Sequence, residues 1–387
     1  MAISSSQERR WRFAENVVRY LRKHGFDGID MDWEFPATRG SPPEDKFRFT
    51  ALLKELQDSF QDEARQTSNE KLILTVAAAG GSYFIKKAYE TAEIPKYVDF
   101  LLVMTYNYHG SWNKFVGHHS ALHPRSDETG SEREWNQAWT IDFWLRAGAP
   151  KEKLIVGIPT YGMSFTLENP AKHDMRAPAT GGGKRGQYTQ EEGTLAYYEI
   201  CENLRNGWRR VWSEEQEVPY AFSGDQWVGY DDVDSVAAKA SYVRKLGLAG
   251  AFIWSVELDD FAGICNQGKY PLLSTIARIL RSDDERSAGG FDGGFIRHDN
   301  NRNPAREARP RYDALPAATT SPSRLSRGHS EARRAFSLHI DDHRRAHNFG
   351  NYEKASESDE RLRGRLAETR RSFEGDDFVQ RSTGGDA

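Results

Sequence analysis

Acidic and apolar positions alternate in the segment FDGIDMDWEFP at residues 26–36. Successive side chains of a β-strand point to opposite faces, so Asp30, Asp32 and Glu34 share one face of a predicted strand. The opposite face is apolar and can pack against a helix. Because a lone buried carboxylate must be paired or neutralised, the acidic face is predicted to look into a polar cavity.

The residues before this strand follow a helical pattern. Apolar side chains recur there at helical spacing, at Ala14, Val17, Val18 and Leu21. The pattern predicts a helix that stops near His24 and Gly25. Pro36 is expected to end the pairing of the following strand. Glu34 is therefore predicted at the carboxyl end of a parallel strand, where α/β barrels gather their active sites.

Strand and helix patterns alternate along most of the chain. Strands are predicted at 71–80, 98–112, 153–165 and 247–261. Helices are predicted between them at 46–60, 135–147 and 233–247. This repetition indicates a parallel α/β fold. A stretch rich in Gly and Tyr interrupts it, so the predicted order is a barrel part at 1–160, an inserted α+β module at 161–232 and a last barrel unit at 233–281.

Composition changes near residue 282. All ten tryptophans and both cysteines precede it, whereas 282–387 is poor in large apolar residues. We expect this tail to be mostly disordered, with a short charged helix around 357–372.

Charge and hydropathy limit the range of partners. The chain has 387 residues and a net charge of −4, which gives no general case for nucleic-acid binding. It contains no apolar run of membrane-spanning length. The N-terminal residues MAISSSQERRWRF lack the apolar core of a secretory signal.

Two other interpretations of the acidic strand are possible. It could be a surface strand whose carboxylates are merely solvated. It could also hold a divalent metal, but an EF-hand loop needs Gly at its sixth position and an acidic twelfth residue. Trp33 between the last two acids does not fit that pattern, so no metal and no cofactor is expected.

The segment DGIDMDWE at 27–34 resembles the DGxDxDxE signature of glycoside hydrolase family 18, the chitinases. Further segments resemble the family in family order from about residue 10 to about 280: MTYNYHGSW, GIPTYGMSF, LAYYEIC, QWVGYDD and IWSVELDDFAG. The chain is similar to the animal chitinases and chitotriosidase-like members, which carry an inserted α+β module after the seventh strand. The resemblance implies a (β/α)8 TIM barrel that hydrolyses chitin, the β-1,4-linked polymer of N-acetylglucosamine.

The resemblance also implies roles for individual residues. Glu34 matches the proton donor, Asp32 the residue that binds the substrate acetamide, and Asp30 its buried partner. Tyr106 matches a residue that holds the acetamide, and Trp254 matches the floor of the sugar subsite at the cleavage point. Weaker matches to the cleft or its support are Asp27, Met104, Asn107, Trp112, Tyr161 and Glu191.

The implied chemistry explains why one acid is enough. In this family the acetamide oxygen of the substrate attacks the anomeric carbon, so the reaction is substrate-assisted and retaining. The protein must then supply one general acid and groups that position the acetamide. Because neighbouring carboxylates resist ionising together, Asp30 and Asp32 are expected to share a proton.

The two cysteines could be free thiols or one bridge on sequence grounds alone. The resemblance implies a disulfide between Cys201 and Cys265, which points to a secreted full-length form. The partner it implies is chitin or a chitooligosaccharide. A monomer is expected, and from charge and hydropathy neither a nucleic acid nor a membrane is expected as a partner.

Three features depart from the family pattern. Asn107 stands where the family has Asp, which predicts a changed pH profile, and Met163 stands where the animal members usually have Arg. The signature strand is normally the fourth of eight, so about five barrel strands are expected. Open sheet edges expose strand backbone, so this chain is expected to fold poorly by itself.

Two alternatives to an enzyme therefore stay open. One is a chitinase-like lectin that binds chitin without cutting it, and the other is an inactive fragment. Non-catalytic relatives have replaced the proton donor, so the presence of Glu34 favours the enzyme.

Overall fold

The computed structural model describes residues 3–281 and 335–340. Its helices are α1 Gln7–His24, α2 Asp45–Thr67, α3 Ser82–Ala88, α4 Ile94–Tyr97, α5 Gln137–Arg146, α6 Tyr197–Arg205, α7 Val233–Leu246 and α8 Pro271–Arg281. Its strands are β1 Gly28–Trp33, β2 Ile73–Ala79, β3 Phe100–Met104, β4 Leu154–Pro159, β5 Tyr161–Leu167, β6 Ala179–Gly182, β7 Thr194–Ala196, β8 Arg209–Ser213, β9 Val218–Ser223, β10 Gln226–Gly229, β11 Gly250–Trp254 and β12 Ala335–Ile340.

Six strands form one parallel sheet in the order β11-β4-β3-β2-β1-β12. Five of them, β1 to β4 and β11, are the barrel strands predicted from the sequence. The fold is therefore a partial TIM barrel, as expected. Helices between consecutive strands bring the chain back to the end of the sheet where each strand begins, so that the strands run parallel. This is the βαβ arrangement of such barrels.

The sixth strand was not predicted. β12 lies in the 282–387 tail that was expected to be disordered, and it pairs in parallel with β1, from Gly28 opposite Ala335 to Trp33 opposite Ile340. β1 consequently has a partner on both sides, whereas an open edge was expected there. The helix predicted around 357–372 lies outside the described residues.

The face of the sheet that packs against the helices forms the main core. Ile29, Met31 and Trp33 are buried there, as the alternation in β1 predicted. α1 ends where expected, because Gly25 caps it in the left-handed conformation at φ 69°. Arg22 forms an ion pair with Glu63 at 2.6 Å, which ties α1 to α2.

On the other face of the sheet, several side chains are only half-buried. In β3, Leu101 and Val103 are fully buried, whereas Leu102 and Met104 between and beyond them are half-buried. Thr75 in β2 shows the same partial exposure. In a barrel this face points to the interior. The partly exposed inner face therefore lines the space into which the acidic side chains of β1 project.

The inserted module is an antiparallel sheet in the order β6-β5-β10-β9-β8, with β7 paired to β5. The single strand predicted at 153–165 is in fact two, β4 in the parallel sheet and β5 in the module. They separate at Thr160, whose N–H donates to the Trp254 carbonyl at 3.1 Å and whose hydroxyl donates to the Ser255 carbonyl at 2.6 Å. The module thus leaves the barrel beside the end of β11.

A disulfide joins Cys201 in α6 to Cys265 in the segment after β11, across a sequence separation of 64. This is the pairing that the family resemblance implies. A buried ion pair also links the module to the barrel, because Lys239 of α7 contacts Asp231 at 2.6 Å and donates to the Ser120 carbonyl. Both connections hold the module against the carboxyl end of the sheet.

Candidate active site

The carboxyl ends of the parallel strands and the adjoining part of the module enclose a cleft of about 410 Å³. Most of the side chains that the sequence singled out line it. They are Asp30, Asp32, Glu34, Met104, Tyr106, Asn107, Tyr161, Glu191 and Trp254. These residues come from β1, β3, β11 and the module, so the fold brings together groups that are more than 200 positions apart in the chain.

Three carboxylates occupy one wall of the cleft. Asp30 and Asp32 lie on the inner face of β1, and Glu34 follows the strand directly. Asp32 is buried, whereas Asp30 and Glu34 are half-buried. Arg39 donates to the main-chain carbonyl of Glu34 at 3.2 Å. The three acids follow one another along one face of the strand, with Glu34 at the end nearest the carboxyl edge of the sheet.

Thr75 is a contact of this row that the sequence did not suggest. Its hydroxyl donates to Oδ1 of Asp30 at 2.6 Å, and the two residues are opposite each other in the pairing of β1 and β2. A hydrogen bond to a carboxylate is shorter and stronger than one between neutral groups. Thr75 therefore fixes the orientation of the Asp30 carboxylate. The available signal was a hydroxyl in an otherwise apolar strand.

Tyr106 faces the carboxylates from the end of β3. Burial is the largest influence on its hydroxyl, and the nearby Tyr161 and Glu34 add to it, so the pKa of Tyr106 lies well above its usual range. Its ring packs edge-on against Tyr161 and Phe252, at 6.3 and 6.2 Å between centroids. Tyr106 is thus held as a neutral phenol that can donate a hydrogen bond in the cleft.

Asn107 is oriented by a neighbour from the module. The hydroxyl of Tyr161 donates to its Oδ1 at 2.6 Å. This bond directs the amide oxygen towards Tyr161 and leaves the NH2 group as the part that Asn107 can offer to a ligand. His119 supports Tyr161 by contacting its main-chain carbonyl at 3.1 Å, and burial lowers the pKa of His119 well below its usual range.

Trp254 provides an exposed aromatic surface at the mouth of the cleft. It ends β11, and 47% of its surface is accessible. The peptide bonds Trp254–Ser255 and Glu34–Phe35 are both cis. A flat indole beside a polar row can stack against the apolar face of a ligand ring.

Two of the predicted site residues do not line the cleft. Asp27 precedes β1 and lies seven residues before Glu34, roughly 23 Å away along an extended chain. It is at the amino end of the sheet, whereas the cleft is at the carboxyl end. Trp112 instead packs against the apolar cluster that contains Tyr106 and Phe165. Met163 does line the cleft, as a buried apolar group where the resemblance led us to expect Arg.

The part of the chain that the structure describes contains no group of three or more His, Cys, Asp or Glu side chains arranged to hold a metal ion. Within the same residues, no helix combines the length and the apolar character needed to cross a membrane.

Comparison with known proteins identifies relatives of this architecture. The profile of the glycosyl hydrolases family 18 matches residues 2–259. Chitotriosidase-1 from Mus musculus is 45% identical over 278 residues, which cover 71% of this chain and 59% of that protein. The chain thus spans about three-fifths of the length of that relative.

Two solved structures have a similar fold. A structure described as human YKL-39, a pseudo-chitinase with retained chitooligosaccharide binding, superposes with a TM-score of 0.69 at 39% identity, covering 72% of this chain and 75% of that one. The Group IV chitinase of Ostrinia furnacalis in complex with allosamidin superposes with a TM-score of 0.68 at 35% identity, covering 72% and 73%.

Proposed function

The chain belongs to the glycosyl hydrolases family 18, and from this premise we propose that its cleft hydrolyses β-1,4-linked N-acetylglucosamine polymers. The observation that carries the proposal is the row of Asp30, Asp32 and Glu34 on one face of β1, with Glu34 at the outer end of the row. The other groups of the cleft have chemistry that suits an N-acetylated sugar.

Glu34 is the general acid in this proposal. It gives its proton to the glycosidic oxygen as the bond from that oxygen to the anomeric carbon breaks. The sugar that carries this anomeric carbon also carries an acetamide group. The acetamide oxygen forms a bond to the anomeric carbon from the side opposite the breaking bond, which gives a cyclic intermediate. The Glu34 carboxylate then takes a proton from water, whose oxygen attacks the anomeric carbon and restores the acetamide. Two inversions leave the β-configuration unchanged.

The neighbouring residues position the acetamide. Asp32 accepts a hydrogen bond from the acetamide N–H, and Asp30 with Thr75 supports Asp32 from below. The neutral phenol of Tyr106 donates to the acetamide oxygen and holds that oxygen in line with the anomeric carbon. Trp254 stacks on the apolar face of the sugar, and Met163 replaces a charged contact by an apolar one.

Binding without cleavage is the second candidate. One structural relative is described as a pseudo-chitinase that retains oligosaccharide binding, so membership of the family does not by itself establish turnover. The presence of a carboxylic acid at position 34 supports cleavage. We further propose that the protein acts as an exported monomer, since its disulfide suits an oxidising compartment.

The direct test is proton NMR of the products released from the N-acetylglucosamine tetramer. Initial release of the β-anomer, followed by slow mutarotation, is the result expected from acetamide participation. Initial release of the α-anomer would refute the mechanism. Binding of the tetramer with no product would leave the lectin as the better account.

A further inference from the structure

The two neighbours of β1 pair with it over different lengths. β2 pairs with the beginning of β1 and goes no further than Met31. β12 pairs with the whole of β1, including Asp32 and Trp33 at its carboxyl end. Among the described residues, β12 is therefore the only strand whose backbone pairs with the part of β1 that leads into Glu34.

This part of β1 carries two of the three acids of the cleft. Asp32 and Glu34 line the cleft, whereas Trp33 between them is buried on the opposite face. Trp33 packs edge-on against a phenyl ring of α2, at 5.7 Å between centroids, and Phe35 packs against one of α3 at 4.6 Å. These contacts hold the strand against the helices, but they act across the sheet and not within its plane.

Hydrogen bonds between strands supply the constraint that these side chains do not. They lie in the plane of the sheet and fix the position of a strand along its neighbour. A strand edge without them exposes its N–H and C=O groups and can open locally. Arg39 donates to the Glu34 carbonyl at 3.2 Å, but from an exposed position. The pairing with β12 is thus the principal in-plane support of Asp32.

β12 is well placed to be changed without disturbing the cleft residues. Its first residue follows Gly28 by more than 300 positions, and it belongs to the tail beyond the barrel units. In the described part of the chain it ends the sheet, so no further strand pairs with its outer edge there. A substitution in β12 therefore alters the support of β1 while the sequence that lines the cleft stays intact.

We propose that β12 is a positioning strand of the active site. By pairing with Asp32 and Trp33, its backbone holds the carboxyl end of β1 in register and so fixes the directions of the Asp32 and Glu34 carboxylates. This inference rests on the proposed function, because it takes these two acids to be catalytic groups. A displacement of about 1 Å can cost about 10²-fold in rate. The tail strand is then part of the catalytic unit.

The test is a pair of proline substitutions in the full chain. Proline removes a backbone N–H, and an edge strand tolerates it where that N–H faces solvent. Successive residues of a strand direct their N–H groups to opposite sides, so only one of Ser337→Pro and Leu338→Pro removes a bond to β1. The other is its matched control. Ala318→Pro, in the tail outside β12, is a second control.

Hydrogen exchange measured by mass spectrometry reports the pairing directly. In the wild type, the segment 335–340 should be protected, and exchange there at the rate of an unstructured peptide would overturn the proposal without any substitution. One proline variant should speed exchange in the segment 28–34 by about 2- to 12-fold, the effect of one lost hydrogen bond. The other proline variant and Ala318→Pro should match the wild type. Equal exchange in all four proteins would contradict the pairing.

Steady-state kinetics on the N-acetylglucosamine tetramer report the positioning. In the variant with faster exchange, kcat should fall by about 10- to 100-fold. KM should change less than kcat, because Tyr106 and Trp254 contact the sugar from other strands. Thermal melts verify that each variant is folded. Faster exchange in 28–34 with an unchanged kcat would overturn the proposal, as would an equal fall of kcat in all three variants.

The outcomes also separate this proposal from the proposed function. If the wild-type chain binds the tetramer but does not cleave it, the hydrolytic function fails, and the positioning of the acids is judged from the tetramer affinity of the same variants, measured by calorimetry. If the wild type cleaves the tetramer and both proline variants do so equally fast, only the positioning strand fails.

Discussion

Thr75 lies directly opposite Asp30 in the pairing of β2 with β1, and its hydroxyl donates to the Asp30 carboxylate at 2.6 Å. Because Thr75 donates to Asp30, we expect its effect on catalysis to pass through that carboxylate. It is a positioning residue, and its effect should differ from that of the acid itself.

Thr75→Val keeps the branched shape and removes the donor. Hydrogen bonds to charged groups contribute about 1.5–3 kcal/mol, so we expect kcat to fall by about tenfold or more. KM should change little, because Thr75 lies beneath the acids. Steady-state kinetics on the N-acetylglucosamine tetramer measure both constants. Thr75→Ser restores the hydroxyl and should recover most of kcat. A Ser variant as impaired as the Val variant would indicate a packing effect instead.

Glu34→Gln removes the acid while conserving the size of the side chain. General acid catalysis contributes about 10²–10⁴-fold, so turnover should fall by at least that factor. Binding of the tetramer, measured by calorimetry, should remain within a few-fold of the wild type. The matched control is Glu152→Gln, an exposed carboxylate before β4. If Glu34→Gln turned over substrate as fast as Glu152→Gln, the assignment of the acid would be wrong.

The disulfide should contribute strongly to stability. Its sequence separation of 64 corresponds to about 4 kcal/mol in the chain-entropy description. Cys201→Ser together with Cys265→Ser should therefore lower the melting temperature by roughly 10 °C. A single Cys201→Ser variant should melt at the same temperature as the pair. Thiol titration of the unfolded wild type without reductant gives the complementary result, and two free thiols there would contradict the bridge.

The sequence predicted the parts of the site that depend on local patterns. Alternation in β1 is a property of one strand, so the common face of Asp30, Asp32 and Glu34 followed from the residues alone. Thr75 did not, because the register between β1 and β2 joins residues 45 positions apart. Asp27 does not line the cleft for a related reason. It belongs to the signature segment, but position along a strand decides which end of the sheet a residue occupies.

The fold shows the same division between local and non-local information. Strand propensity continues through 153–165, so nothing local indicates that the chain leaves the barrel at Thr160. The bonds from Thr160 to Trp254 and Ser255 impose that break from a distant part of the sequence. β12 likewise adds to an edge of β1 that lies far from it in the chain. Gly28 and Ala335 are more than 300 positions apart, so no local pattern indicates that they pair.

The stability of the fold should decrease as the pH rises from about 4.5 to about 7, because of Glu128. This residue lies in the loop between β3 and α5, with 7% of its surface accessible. Burial raises its pKa from 4.5 to about 7, assisted by Glu132 and opposed by Arg125, whose N–H it accepts at 3.1 Å. Glu128 and His109 border the same small cavity. Burial lowers the pKa of His109 to about 4, so His109 is mainly neutral between about pH 4.5 and about pH 7.

The sign of the effect follows from proton binding. Between the unfolded pKa and the folded pKa, the folded state keeps a proton on Glu128 that the unfolded state has released, so the free energy of unfolding falls as the pH rises. Below about pH 4.5 both states are protonated and Glu128 has no effect. Above about pH 7 the destabilisation is complete, at about 3 kcal/mol.

Glu128→Gln should remove this dependence. The variant and the wild type should melt at similar temperatures near pH 4.5, and the variant should be the more stable of the two by about 3 kcal/mol at pH 8. Asp127→Asn is the control. Asp127 is paired with Arg125, and its pKa is lowered from 3.8, so its charge should not change across this pH range. The measurement is the difference in unfolding free energy between each variant and the wild type across this range. A constant difference for Glu128→Gln would show that the buried carboxyl titrates alike in both states.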